Sequence, residues 1–421
     1  MYRVTRLDNG LAVVTKSMAQ RASVSVGVWV GVGSRFEPAP LNGVCHFIEH
    51  MLFKGTRRRS PLQISQAVEG IGGYLNAFTS EDHTCYYSKA RHDHLPELLN
   101  VLMDMFLNST FPQNEIRKER SVIKEEILMY LDQPHLHVQE LLNETLWPDH
   151  PLGRNIVGTD ETLDRMTRRH LVEFLRRNYH SGNTVIAAAG NLKHDDIVRE
   201  VTRYADRIPT SDAARTMPAV DIIQKEPWVR LVTRDVEQTQ LAMGIRACSR
   251  HDERRHALRL LNAMLGENMS SRLFQVLRED HGLVYSIYSS ASLVEDVGTL
   301  TISAGLDTAA LPRALRLIVQ ELRGFLEKAP SAAEMRRARE YLIGQIDLNL
   351  EGTENQMMAL GEQYLGYGEV SSTAAVKKKI AEVTPGMVRK VARDFFRPEN
   401  ICLALVSPLK SDRGLRKLLQ F

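Results

Sequence analysis

Apolar and polar positions alternate with two different periods along this chain. LAVVTK (11–16) and SVSVGVWVGVG (23–33) are short, apolar and valine-rich, and predict strands. LNGVCHFIEHMLFKG and SPLQISQAVEGIG, which follow, carry the helical period. YLNAFTSEDHTCYYSKA (74–90) alternates as strands again. LPELLNVLMDMFLN and QNEIRKERSVIKEEILMYLDQ then predict two long amphipathic helices. A further helix, TRRHLVEFLRRNY, and a strand, NTVIAAAGNL (183–192), close the series. Strands and helices in this mixture predict an α+β fold.

The same order then returns. WVRLVTRDVEQTQLAMGIRA (228–247) reads as two strands, ERRHALRLLNAMLGENMSSRLFQVLRED as helices and YSIYSSASLVEDVGTLTISAGL as strands. LPRALRLIVQELRGFL and SAAEMRRAREYLIGQIDLNLE are again long helices, and TPGMVRKVARDFFRPENICLALVSPL answers the closing helix and strand. Between the copies, the stretch from 206 to 227 is rich in proline, serine and alanine. The expected division is therefore a domain at 1–207, a linker at 208–226 and a homologous domain at 227–421. Each is expected to be a mainly antiparallel sheet of about six strands with helices on one face. At 421 residues the chain is too long for one ordinary core.

The duplication exposes a difference between the copies. Laying EIRKERSVIKEEI on EMRRAREYLIGQI puts Glu119 opposite Ala338 and Glu126 opposite Gln345. In a looser register, His46, Glu49 and His50 of CHFIEHMLFKGT face Leu265, Asn268 and Met269. One copy holds a polar constellation that the other has lost, and packing alone would not leave that asymmetry. On a helix His46 and His50 project about 40° apart, with Glu49 about 60° to the other side, so all three share a face. Phe47, Ile48, Met51 and Leu52 would bury that helix. A buried face with two imidazoles and a carboxylate needs a partner charge, which a divalent metal supplies. The alternative is a pair of partly buried histidines bonded to backbone. A catalytic zinc requires a third protein ligand. Glu119 and Glu126 lie within about 20° of one helical line, whereas Glu125 points about 100° away from Glu126 and is read as solvated surface.

Composition narrows the classes of function. With 43% hydrophobic and 25% charged residues and a formal charge of +3, nothing calls for nucleic acid or a membrane surface. The basic runs KGTRRRS and VKKKI are read as solvated faces. Cys45, Cys85, Cys248 and Cys402 are scattered, which fits a reducing compartment. The opening MYRVTRLDNGLAVVTK lacks the apolar core of a signal peptide, and VSVGVWVGVG is too short to span a bilayer. The expected location is the cytoplasm. There is no G-x-S-x-G elbow and no phosphate-binding G-x-x-x-x-G-K-[ST] loop, and GVGSRF (31–36) lacks the final glycine of a dinucleotide fingerprint.

H-x-x-E-H is the inverted form of the zinc-peptidase motif. Around it, GVCHFIEHMLFKGT, GGYLNAFTSEDHTCYY, ERSVIKEEILMY, HPLGRNIVGT and SSRLFQVLREDHGLVYS run in one order across nearly the whole chain. The chain resembles the pitrilysin-type (M16) metallopeptidases. It most resembles the short-subunit group that includes the catalytic subunit of mitochondrial processing peptidase and its bacterial relatives. The resemblance implies one Zn2+ per chain, held by His46, His50 and Glu126. It makes Glu49 the general base, and Glu119 an accessory glutamate that orients a ligand or the water. Two imidazoles and a carboxylate suit zinc without excluding cobalt or manganese.

The resemblance also implies that YLNAFTS is an edge strand on which a peptide substrate lies. Asn76 and Ala77 would then touch the peptide main chain and Phe53 would line a pocket. Ordinary strand or core packing is the alternative for these three. Arg278 and Tyr285 match an arginine–tyrosine pair that holds the substrate carbonyl and stabilises the oxyanion. The other reading of Arg278 is a surface salt bridge. In fused relatives the pair lies in the half without zinc, which implies a homodimer in which each subunit completes the other's site. A heterodimer with a homologous chain is the second arrangement. The function implied is that of a zinc-dependent endopeptidase. It would cut unfolded peptides or leader segments inside a closed chamber. The competing readings are a non-catalytic structural subunit of the same superfamily and a catalytic subunit active only with a homologous partner.

Overall fold

The computed structural model describes residues 2–211 and 217–420, so residues 212–216 of the expected linker lie outside the described residues. The first half runs β1 (Tyr2–Arg6), β2 (Ala12–Ser17), β3 (Ser23–Val30), α1 (Val44–Leu52), α2 (Pro61–Glu69), β4 (Tyr74–Thr79) and β5 (Thr84–Arg91). It continues with α3 (Leu95–Asn108), α4 (Gln113–Asp132), α5 (Pro134–Leu146), α6 (Asp160–Arg165), α7 (Arg168–Asn178), β6 (Thr184–Gly190) and α8 (His194–Ala205). The second half runs β7 (Trp228–Thr233), β8 (Thr239–Ala247), α9 (Arg255–Leu265), a π-helical stretch (Phe274–Asp280), β9 (Val284–Leu293) and β10 (Gly298–Leu306). There follow α10 (Leu311–Glu327), α11 (Ala332–Asn349), α12 (Thr353–Tyr367), α13 (Thr373–Glu382), α14 (Pro385–Phe395) and β11 (Ile401–Ser407).

Two sheets result, with strand orders β1-β2-β6-β3-β5-β4 and β7-β11-β8-β10-β9. In the first, β2 pairs parallel with β6 and the other neighbours are antiparallel. In the second, β7 pairs parallel with β11 and the rest is antiparallel. The second sheet thus repeats the first without a counterpart of β1. In both sheets the last strand of the order, β4 or β9, is an open edge.

Helices cover both faces of each sheet, not one as the sequence predicts. Strands β6 and β11 are buried along their whole length, and a strand buried on both sides needs a layer on both sides. One face of the first sheet, with Ala12, Val14, Trp29, Cys85, Val185, Ala187 and Ala189, packs on Met357, Leu360 and Tyr364 of α12. The chain also contacts this sheet through α1, α3 and α8. In the second sheet, Ala242, Cys402, Ala404 and Val406 pack on Val138, Leu141, Leu142 and Leu146 of α5. Its alternate residues, Leu241, Met243, Leu403 and Leu405 among them, join a large core with α9, α10 and α14.

The two compact units therefore do not follow the two halves end to end. One gathers Met1–Ile127, Arg154–Pro218 and Asp347–Ser371; the other gathers Leu128–Gly153, Ala219–Ile346 and Ser372–Phe421. The first-half helix α5 belongs with the second sheet, and the second-half helix α12 with the first. No helix among the described residues is long and apolar enough to cross a membrane.

Candidate metal centre

Helix α1 begins at Gly43, whose φ of 91° is left-handed backbone that a side chain would strain. The first polar residue it buries is His46, 8% exposed, and one turn on stands His50, its ring centroid 4.6 Å from that of His46. Helix α4 brings Glu126 to the same point. Nε2 of His46 and Nε2 of His50 each lie 3.7 Å from Oε2 of Glu126. That is too long for a hydrogen bond but suits atoms sharing one ion, since ligands about 2 Å from a tetrahedral zinc lie about 3.3 Å apart. The candidate ligand atoms of the three side chains all lie within 4.8 Å of one another.

The electrostatics suit metal ligation. Burial, reinforced by the neighbouring His50, pushes His46 down to about 3, so its ring stays neutral and keeps a lone pair to give. Nδ1 of His46 is buried with no hydrogen-bond partner among the described residues. The ring of His50 is held differently, donating from Nδ1 to Oε2 of Glu119 at 3.0 Å. That bond selects the tautomer whose Nε2 is free to ligate. Lys54 grips the other Glu119 oxygen, Nζ to Oε1 2.7 Å. Burial alone would raise the Glu119 carboxyl, but the bonds from His50 and Lys54 and the lysine charge outweigh it, and its pKa lies below the ordinary value. The donor set fits a zinc ion: two imidazoles and a carboxylate, with the tautomer of one imidazole fixed from behind.

Glu49 stands on the same face of α1, half-buried. Its Oε2 accepts a 2.6 Å hydrogen bond from Oγ1 of Thr79, the last residue of β4. Burial raises its pKa, with the Thr79 bond pulling the other way. Glu125 is exposed, as the helical geometry predicts.

Strand β4 pairs with β5 on one side and is open on the other. Asn76 is exposed and Ala77 half-buried, and the backbone N–H of Ala77 is taken by its neighbour's side chain, N to Oδ1 of Asn76 2.8 Å. Phe53 caps the C-terminal end of α1 and is half-buried. Arg278 and Tyr285 belong to the other compact unit. Tyr285 is 75% exposed, and Arg278 is exposed, lies over the ring of Phe274 at 5.1 Å and makes no ion pair among the described residues. In the second half, α9 ends at Leu265, so Asn268 and Met269 fall beyond the helix that would correspond to α1.

Sequence reasoning missed Thr79, Lys54 and the buried Glu37 described below. Thr79 and Lys54 both sit inside motifs singled out in the sequence, and Lys54 is one helical step past His50.

A family model described as "Insulinase (Peptidase family M16)" matches residues 12–160, and one described as "Peptidase M16 inactive domain" matches residues 165–342. An uncharacterised zinc protease of Streptomyces coelicolor is 37% identical over 421 residues, covering 98% of this chain and 91% of its own. An uncharacterised zinc protease of Bacillus subtilis is 36% identical over 401 residues, covering 95% and 97%. Among solved structures, a protease from Helicobacter pylori superposes with a TM-score of 0.90 at 21% identity, covering 97% of this chain and 99% of its own. A structure from Pseudomonas fluorescens described as a peptidase M16 inactive domain gives 0.89 at 18% identity, with the same coverage. At those identities the two structures speak to the fold.

Proposed function

This chain belongs to the M16, insulinase-type, peptidase family, and from that premise we propose that it is a zinc-dependent endopeptidase acting on extended, unfolded peptides or leader segments. The observation that carries the reading is the meeting of Nε2 of His46, Nε2 of His50 and Oε2 of Glu126, with a fourth side chain, Glu49, on the same helix face and held by Thr79.

His46, His50 and Glu126 would hold the metal, one ion per chain. A zinc ion there supplies Lewis acidity, acidifying water and polarising the scissile carbonyl. Glu49 takes the proton of the attacking water and hands it to the leaving amine. Its raised pKa brings it nearer the range in which one carboxyl can both accept and return a proton. Glu119 keeps His50 in the ligating tautomer, and Lys54 keeps Glu119 in place. The peptide lies along the open edge of β4, where its carbonyl replaces the Asn76 side chain on the N–H of Ala77. Phe53 lines the pocket that takes a side chain of the peptide.

Arg278 and Tyr285 hold the substrate carbonyl and the developing oxyanion, in a homodimer where each subunit's pair serves its partner's metal. Their exposure, and the free charge of Arg278 among the described residues, support that reading. The chamber so formed admits unfolded chains, which would suit a peptidase working in the cytoplasm.

The test is cleavage of a mixed set of unstructured peptides by the purified chain, with the cuts mapped by mass spectrometry and the particle mass measured under the same conditions. The expected result is internal cuts, abolished by a chelator and restored by zinc, from a particle of two chains. Peptides left whole by a zinc-loaded dimer would refute the peptidase reading. Cutting by single chains would refute the shared site.

A further inference from the structure

GVGSRFE (31–37) and HPLGRNIVGT (150–159) have no part in the chemistry above. Both meet at one buried acid. We propose that Glu37 is a positioning residue for the metal centre, the clamp that registers the metal helix α1 against the β4–β5 hairpin. The proposal rests on the zinc reading above.

Glu37 is 3% exposed. Its Oε2 accepts from the backbone N–H of Gly43 at 2.7 Å and from Nδ2 of Asn42 at 2.9 Å, and its Oε1 accepts from the backbone N–H of Cys45 at 2.8 Å. These two amides are among the donors that the first turn of any helix leaves without partners, and a carboxylate also suits the positive end of the helix. Both oxygens are engaged, so α1 can neither slide along its axis nor turn about it without losing a bond. The residue after Cys45 is His46, the first ligand.

The clamp is anchored on two sides. Arg154 donates from Nη1 to the Glu37 carbonyl at 3.0 Å, and Nδ2 of Asn42 also reaches the carbonyl of Asn155 at 3.0 Å. Toward the hairpin, the N–H of Ser34 donates to the Ser80 carbonyl at 3.1 Å and that of Arg35 to the Glu81 carbonyl at 3.0 Å. Gly33 permits this approach, since a Cβ there would lie 2.1 Å from the Ser80 oxygen. Ser80 follows Thr79, which holds Glu49. One short segment thus sets the helix with two ligands and the base against the strand that orients the base.

The acid is costly where it stands. Burial pushes Glu37 up to about 7, with the bonds from Cys45, Asn42 and Gly43 pulling the other way. An apolar side chain there would leave three buried donors without this acceptor, so the carboxylate is explained by what it grips.

The experiment compares zinc affinity, by competition with a chelator, in the full chain and in Glu37→Gln. Glutamine keeps the shape but offers an NH2 where one of the two amides needs an acceptor. The expected result is a folded variant whose zinc affinity falls about 10-fold or more, the range seen when groups that orient metal ligands are lost. A purely structural role would lower the melting temperature and leave the affinity of the folded protein alone; an affinity within about twofold of wild type overturns the proposal. Should Glu37→Gln not fold, hydrogen exchange in the unaltered chain decides. Zinc should slow exchange at the Gly43 and Cys45 amides, and unchanged rates there overturn the proposal. A wild-type chain that takes up no zinc defeats the metal reading itself. A wild type that binds with a variant that binds equally defeats this inference alone.

Discussion

Thr79 reaches Glu49 from a different element, donating a 2.6 Å hydrogen bond to its Oε2. Removing that hydroxyl should leave substrate binding alone and let the base swing. Thr79→Val is expected to lower kcat about 10-fold or more at an unchanged KM, with Thr79→Ser recovering most of it. Steady-state kinetics on one peptide decide: a rise in KM at constant kcat would place Thr79 in binding instead. The residues of this centre differ in how far the sequence could disclose them. His46, Glu49 and His50 are visible because helical spacing puts them on one face and the second copy has apolar or amide residues there. Glu119 and Glu126 are visible for the same two reasons. Thr79, Lys54 and Glu37 are not, because each meets its partner across a gap between elements: Thr79 from a strand end, Lys54 past the last residue of α1, Glu37 from the loop before it. Periodicity orders residues within an element and says nothing of reach between elements.

At the level of elements, the predicted strands and helices fall where the pattern puts them, with α3 matching LPELLNVLMDMFLN end to end, and β1 is added at the start. Helices α5 and α12 are not among the predicted elements, and they are the two that cover the second face of each sheet. The buried apolar residues of α12 are few, Met357, Leu360 and Tyr364, with Met358 and Leu365 partly buried beside them, so its apolar stripe stands out little in the sequence. Its close approach depends on Gly361, where a Cβ would stand 2.2 Å from the Trp29 indole nitrogen, itself a donor to Sδ of Met357. Gly361→Leu is therefore expected to destabilise the protein by about 1–3 kcal/mol or more through overpacking. Denaturant unfolding measures it, and an unchanged midpoint would show that α12 is free to shift.

Across the whole molecule, duplication is legible as a repeated order of elements, and the two sheets repeat their strand order in turn. The exchange of α5 and α12 between the compact units is not legible, because a pattern of apolar positions shows that a face is buried but not what buries it. The same asymmetry between copies marks the candidate metal site. One unit holds His46, His50, Glu126 and Glu49, and the other holds Arg278 and Tyr285, so the function proposed needs both. Its central claim is that Glu49 performs the proton transfer beside a metal that it does not hold. Measuring zinc content and peptide cleavage together in the wild type and in Glu49→Gln tests this most directly. Equal zinc in both and cleavage at least about 100-fold slower in the variant are expected. Cleavage at the wild-type rate by Glu49→Gln, or loss of its zinc, would contradict the claim.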